Sequence, residues 1–144
     1  MNEQLPVFVY GTLRHGCGNY EALLEGCTTA EFSAQAEGLA LYGTRFAFPY
    51  AAVREGGVVV GELMVIDPQR YDEVLRHLDI LEGYEQKRPE SSHYVRVTRT
   101  VRCEIDGQWM PREAYLYLAG SRAIARFDEG DLIPGGDWVN RHAA

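Results

Sequence analysis

The chain has 144 residues, with 14 Lys and Arg against 21 Asp and Glu, a net charge of −7. Its 46% hydrophobic and 24% charged residues are the balance of an ordinary folded domain, long enough for one core without disulfide or metal staples. The acidic surplus argues against nucleic acid or an anionic membrane as partner, since both need a broad basic footprint; a few local donors could still hold one small anion.

Leu5 to Val9 is a short apolar run of strand formers, expected as a buried strand. The segment YGTLRHGCGN carries Gly11, Gly16 and Gly18 and reads as a loop. Asn19 is placed to cap a short helix over 20–25, with Gly26 as its stop. In 28–42, Phe32, Ala34 and Ala36 alternate, then Leu39 and Leu41, giving one or two strands. Residues 43–52 have no clear period and read as a loop. Glu55-Gly56-Gly57 is a turn signal, and VVVGELMVI over 58–66 is a strand. Asp67-Pro68 starts a helix, because Asp accepts from the free amides and Pro suits the first helical position. Tyr71, Val74, Leu75, Leu78 and Leu81 then recur at helical spacing until Gly83.

A strand over 94–105 puts Val95, Val97, Val101, Cys103 and Ile105 on one face. Arg99 interrupts that face and implies a bulge or a partnered charge. Asp106-Gly107 is a type I′ hairpin signal. The return strand covers 108–120, with Pro111 at an edge or bulge. GGDWVNRH reads as a tail loop closing one end. The sum is one α+β domain, a small mixed β-barrel of about six strands with one main flanking helix and short helices.

Cys17, Cys27 and Cys103 show no C-x-x-C spacing, which argues against a disulfide framework and against zinc. The N-terminus lacks a signal-peptide pattern, and no apolar run approaches the ~20 residues of a membrane span. A soluble cytoplasmic protein is expected.

Two segments carry candidate chemistry. In VFVYGTLRHG a strand runs into a Gly-containing turn, whose successive amides can converge on an anion. Gly11 lets a ligand approach the backbone. The residues alone read first as a plain strand-to-helix turn, and neither phosphate-loop spacing is present. In RHLDILEGYE, Glu82 stands at the negative end of a helix, three residues from Asp79 and from Glu85. Both effects, and burial, would raise its pKa and suit it to general acid–base work. The plainer reading is a solvated acidic helix end. His15, His77, His93 and His142 lack metal-ligand spacing. Cys17 beside His15 is a weaker nucleophile candidate. Tyr115 and Tyr117 share one strand face, to pack or to line a pocket. Arg14 either pairs with an anion or is solvated. Asp137-Trp138 either closes a pocket or caps the fold.

In order, VFVYGTLRHG, GELMVID, LDILEGY, AYLYLAG and GGDW resemble the gamma-glutamylcyclotransferase-like family over about residues 5–140. The resemblance is greater to its small single-domain branch, which includes gamma-glutamylamine cyclotransferase. It implies a small mixed barrel with flanking helices. It implies a small-molecule gamma-glutamyl substrate, bound by the amides of Tyr10, Gly11, Thr12 and Leu13, with Glu82 as the essential carboxylate and Tyr117 lining the pocket. The implied reaction is attack of the substrate's own α-amine on its γ-carbonyl, releasing 5-oxoproline and an amine, with no metal or cofactor. The rival expectations are a non-catalytic small-molecule binding module on the same scaffold and, more weakly, a Cys17 thiol enzyme.

Overall fold

The structure, a computed structural model, describes residues 4–43, 49–84, 94–120 and 129–139. Among these residues the order is β1 (Val7–Val9), α1 (Gly18–Leu23), β2 (Thr28–Tyr42), β3 (Tyr50–Ile66), α2 (Tyr71–Leu81), β4 (Tyr94–Ile105) and β5 (Gln108–Ala119). The strands run β1-β3-β2-β4-β5 around a barrel. Neighbours are antiparallel except β1 and β5, which close the ring through the parallel pair Val7↔Tyr115. The barrel is therefore mixed, as expected, but its closure is slender.

Five strands stand among the described residues where the sequence implied about six. Residues 28–42 form one strand, bent at Gly38, whose φ of 77° leaves the extended region. The Glu55-Gly56-Gly57 signal proves to be a bulge inside β3. Pairing jumps from Glu37↔Val58 to Leu39↔Val53, so four residues of β3 are accommodated opposite Gly38. A Cβ on Gly57 would stand 2.3 Å from the Leu39 carbonyl oxygen, so glycine is required for that approach. The expected loop over 43–52 is corrected at Tyr50, Ala51 and Ala52, which pair in β3 with Tyr42, Leu41 and Ala40; residues 44–48 lie outside the described set.

Asp106 and Gly107 have φ of 53° and 80°, and Ile105 pairs with Gln108, giving the two-residue hairpin with both central residues left-handed. The β4–β5 register is unbroken at Arg99, whose charge is instead partnered: Nη2 donates to the Glu37 carbonyl at 3.3 Å. Pro111 is exposed, away from the single point where β5 meets β1.

Two apolar layers explain the sequence pattern. Phe8, Ala34, Leu39, Leu63, Leu116 and others fill the barrel, and Trp138 joins them from the tail, capping that end. Val7, Val9, Met64, Tyr71, Val74 and Leu78 pack between the sheet and the helices. Strand β1 thus buries both faces, which is why it reads as a continuous apolar run. Among the described residues no helix is long and apolar enough to cross a membrane.

Candidate active site

β1 delivers the chain into the glycine-containing loop, and the loop is tied from behind. Arg14 N–H donates to the Gly11 carbonyl at 3.1 Å, and Tyr20 N–H to the Thr12 carbonyl at 3.2 Å. Arg14 is only 9% exposed. Its Nη1 donates to Asp137 Oδ1 at 2.7 Å and its Nε to Glu62 Oε2 at 3.3 Å. Glu62 Oε1 accepts from the His15 N–H at 2.6 Å. Arg14 is thus pinned in the scaffold, neither solvated nor offered to a ligand. With the carbonyls and side chains engaged, the N–H groups of Gly11, Thr12 and Leu13 find no acceptor among the described residues. A Cβ on Gly11 would stand 2.9 Å from Pro49 Cδ, so no larger residue fits that turn.

The end of α2 supplies the carboxylate. Asp67 and Pro68 open a short 3₁₀ turn, with Asp67 Oδ1 accepting from Gln69 N–H at 2.9 Å, and the helix follows with Tyr71, Val74 and Leu78 buried. Glu82 is the residue at its C-terminal cap. Gly83 follows at φ 65°; its N–H donates to the Ile80 carbonyl at 3.1 Å, and the Tyr84 N–H to the Asp79 carbonyl at 2.9 Å. This pair of bonds is the Schellman ending, and it needs the left-handed residue that Gly83 provides.

Loop and helix end meet at a cavity of about 420 Å³, lined by Tyr10, Gly11, Thr12, Leu13, Glu82 and Tyr117, together with Asn19, Pro49, Leu81 and Tyr94. The six residues that the family resemblance implied, Tyr10, Gly11, Thr12, Leu13, Glu82 and Tyr117, therefore lie on one cavity. The Glu82 carboxyl has no hydrogen-bond or ion-pair partner among the described residues, and burial pushes its pKa up to about 7. Of the expected causes burial is the one that acts: Asp79 does not face Glu82 but accepts from Tyr117 Oη at 2.6 Å and from Arg96, and Glu85 lies outside the described set. Burial raises the Asp79 pKa in spite of those two partners.

The tyrosines around Glu82 are tethered donors. Tyr10 Oη donates to the Tyr117 carbonyl at 2.6 Å, and Tyr94 Oη to the Pro49 carbonyl at 2.7 Å. Burial foremost, with the Glu82 charge adding, pushes the hydroxyls of Tyr10, Tyr94 and Tyr117 well above their ordinary range. They stay protonated near neutrality, and Glu82 is the group in the cavity able to exchange a proton there.

Cys17 precedes α1 and is not part of the cavity lining, and His15 Nδ1 lies 3.0 Å from Glu31 Oε1 instead of facing a thiol. Asn19 and Tyr94 were not singled out from the sequence. Asn19 was read as a helix cap, but α1 begins at Gly18 and the Asn19 side chain donates to Thr12 Oγ1 at 2.6 Å. Tyr94 begins the face of β4 opposite the valines and is buried there; an aromatic residue alternating with those valines was the available signal of a second packed face. Among the described residues no group of His, Cys, Asp or Glu is arranged to hold a metal ion.

Comparison with known proteins places the fold. The family model described as "Gamma-glutamyl cyclotransferase, AIG2-like" matches residues 7–140. The fold is shared with an AIG2-like protein from Mus musculus, at 23% identity and a TM-score of 0.62 over 93% of this chain and 87% of that one. It is shared with an Arabidopsis thaliana protein at 23% identity and a TM-score of 0.61, covering 99% and 82%. An uncharacterised Pyrococcus horikoshii protein gives 23% and 0.56, covering 96% and 92%. A search of curated proteins returned no match. With the loop of β1 and the end of α2 both inside the span that the family model matches, the chain belongs to the gamma-glutamyl cyclotransferase, AIG2-like family.

Proposed function

We propose that the protein is a single-domain cyclotransferase that releases 5-oxoproline and an amine from a gamma-glutamyl amine or peptide. The observation that carries this reading is one cavity with, on one element, a carboxyl, Glu82, that has no partner among the described residues and, on another, three amides, of Gly11, Thr12 and Leu13, that find no acceptor among them. The substrate's α-ammonium gives a proton to Glu82, and the freed amine attacks the γ-carbonyl carbon. The tetrahedral oxyanion, or the substrate's α-carboxylate, is met by the loop amides, a form of stabilisation in which one donor is typically worth about 10²–10³ in kcat. Glu82 then returns its proton to the leaving nitrogen as that C–N bond breaks, and the freed carboxylate takes the second proton from the ring nitrogen, leaving the neutral lactam; that proton goes on to the released amine, which departs as its ammonium. Nucleophile and electrophile share one molecule, so much of the catalysis is holding it in ring-closing geometry. A pKa of about 7 lets Glu82 both take and give the proton near neutral pH.

The test is mass-spectrometric detection of 5-oxoproline after incubation with a panel of gamma-glutamyl amines and gamma-glutamyl dipeptides. The wild type is expected to form product, and a folded Glu82→Gln variant to lose activity by at least about 10²-fold. Full activity in Glu82→Gln removes the mechanism. Saturable binding of a gamma-glutamyl compound without product would favour the non-catalytic binding module.

A further inference from the structure

Glu82 enters the cavity from the C-terminal cap of a helix, so its place depends on how that helix end is held. Two residues bracket it. Asp79 stands three before and Tyr84 two after, and the Tyr84 N–H to Asp79 carbonyl bond of 2.9 Å closes the turn between them. Both also meet one side chain from another element. Arg96 of β4 donates through Nη1 to both Asp79 oxygens, at 3.1 and 2.9 Å. Its guanidinium carbon lies 5.5 Å from the centre of the Tyr84 ring.

Arg96 is itself fixed on the sheet. It lies 4.8 Å from the centre of the Tyr115 ring and pairs across the strands with Tyr117. Tyr117, whose hydroxyl also donates to Asp79 at 2.6 Å, belongs to the cavity lining; Arg96 does not. The Arg96 side chain is 10% exposed, so these contacts are made largely out of water. A planar guanidinium can face a carboxylate and stack on aromatic rings at once, which an ammonium cannot.

We propose that Arg96 is the positioning residue for Glu82: by gripping Asp79 and Tyr84 together it fixes the turn from which the carboxyl reaches the cavity. The proposal rests on the reading of Glu82 as the proton-transfer group. A purely structural pair would hold α2 on the sheet and leave the surroundings of Glu82 unchanged on removal, apart from lower stability. A positioning residue, once removed, lets the turn relax and water reach the carboxyl.

The experiment follows Glu82 itself, without needing a substrate. Protein labelled with ¹³C at the glutamate carboxyls is titrated by NMR, with the Glu82 signal assigned through Glu82→Gln. The variants are Arg96→Ala, Arg96→Lys and Tyr84→Ala. The Glu82 midpoint, expected near 7 in the wild type, should fall toward 4.5 in Arg96→Ala. In Tyr84→Ala, which keeps the ion pair, it should fall part of the way. Arg96→Lys keeps the charge toward Asp79 but loses the stacking, and should resemble Tyr84→Ala. With a turned-over substrate, kcat should drop by about 10²-fold in Arg96→Ala while KM changes little.

An unchanged Glu82 midpoint in folded Arg96→Ala overturns the proposal. Where Arg96→Ala does not fold, an unchanged midpoint in both Tyr84→Ala and Arg96→Lys does the same. An active Glu82→Gln variant overturns the assignment of Glu82 as the proton-transfer group, an outcome read in a different variant and a different assay.

Discussion

A carboxyl drawn out of water lowers stability once it ionises, and Glu82, with no partner among the described residues, makes this measurable. Its folded pKa is raised from 4.5 to about 7, so the native state binds its proton more tightly than the unfolded chain does. The favourable contribution is complete below pH 4.5 and is lost as pH rises through about 7. A rise of that size corresponds to on the order of 3 kcal/mol. Glu82→Gln, which cannot ionise, should therefore be more stable than the wild type at pH 8 and close to it at pH 4. Urea unfolding at the two pH values checks this; equal stability at both would mean that the carboxyl is well hydrated. The same titration gives the activity its shape. If the ionised form accepts the α-ammonium proton, kcat/KM should rise with pH up to about 7 and then level off, unless the substrate's own titration intervenes. Glu31 shows the opposite case. Burial pushes its pKa up, but donors from Tyr20, Thr28 and His15 outweigh that and hold it below its ordinary value. Partners, more than position, separate the two glutamates.

At the scale of elements, the site is two chain endings brought together, the exit of β1 and the exit of α2. Each ending was legible because a glycine marks it, and each glycine has a measurable reason. Gly83 occupies the left-handed region at φ 65°. Gly83→Ala should cost roughly 1–2 kcal/mol of stability, and because the same turn carries Glu82 it should also lower kcat, which Gly83→Asn should partly restore. Thermal melts read beside 5-oxoproline release separate the two effects. The direction of the Glu82 pKa shift was legible too, with burial among its causes, but the fate of Asp79 was not. From spacing alone Asp79 is a like charge one turn away; in the structure Arg96 and Tyr117 hold it, because β4 and β5 pass beneath α2. Those partners are 17 and 38 residues away in the chain, and no local pattern reports them. The bulge in β3 was missed for a related reason. Glu55-Gly56-Gly57 has the composition of a turn, and only pairing with Leu39 and Glu37 of β2 keeps it inside a strand.

The whole molecule is held closed by contacts between distant parts of the chain. β1 and β5 meet at one pair in register, so the ring depends on what reinforces it elsewhere. The tail is one such reinforcement: Trp138 packs into the barrel, and its neighbour Asp137 binds Arg14, 123 residues away. GGDW was legible as a segment closing one end, and the structure adds that it also braces the amide loop through Arg14. Because Arg14 is buried and keeps Glu62 as a second partner, Asp137→Ala should cost about 1–3 kcal/mol, the range for leaving a buried donor short of an acceptor. In an Arg14→Met background the same substitution should cost clearly less, since the group that Asp137 satisfies is gone. A double-mutant cycle by urea unfolding gives the coupling. A coupling near zero would mean that the ion pair is only geometric. A coupling of 1 kcal/mol or more, with KM for a gamma-glutamyl substrate rising in Asp137→Ala while kcat holds, would show that barrel closure and the binding loop are set by the same contact.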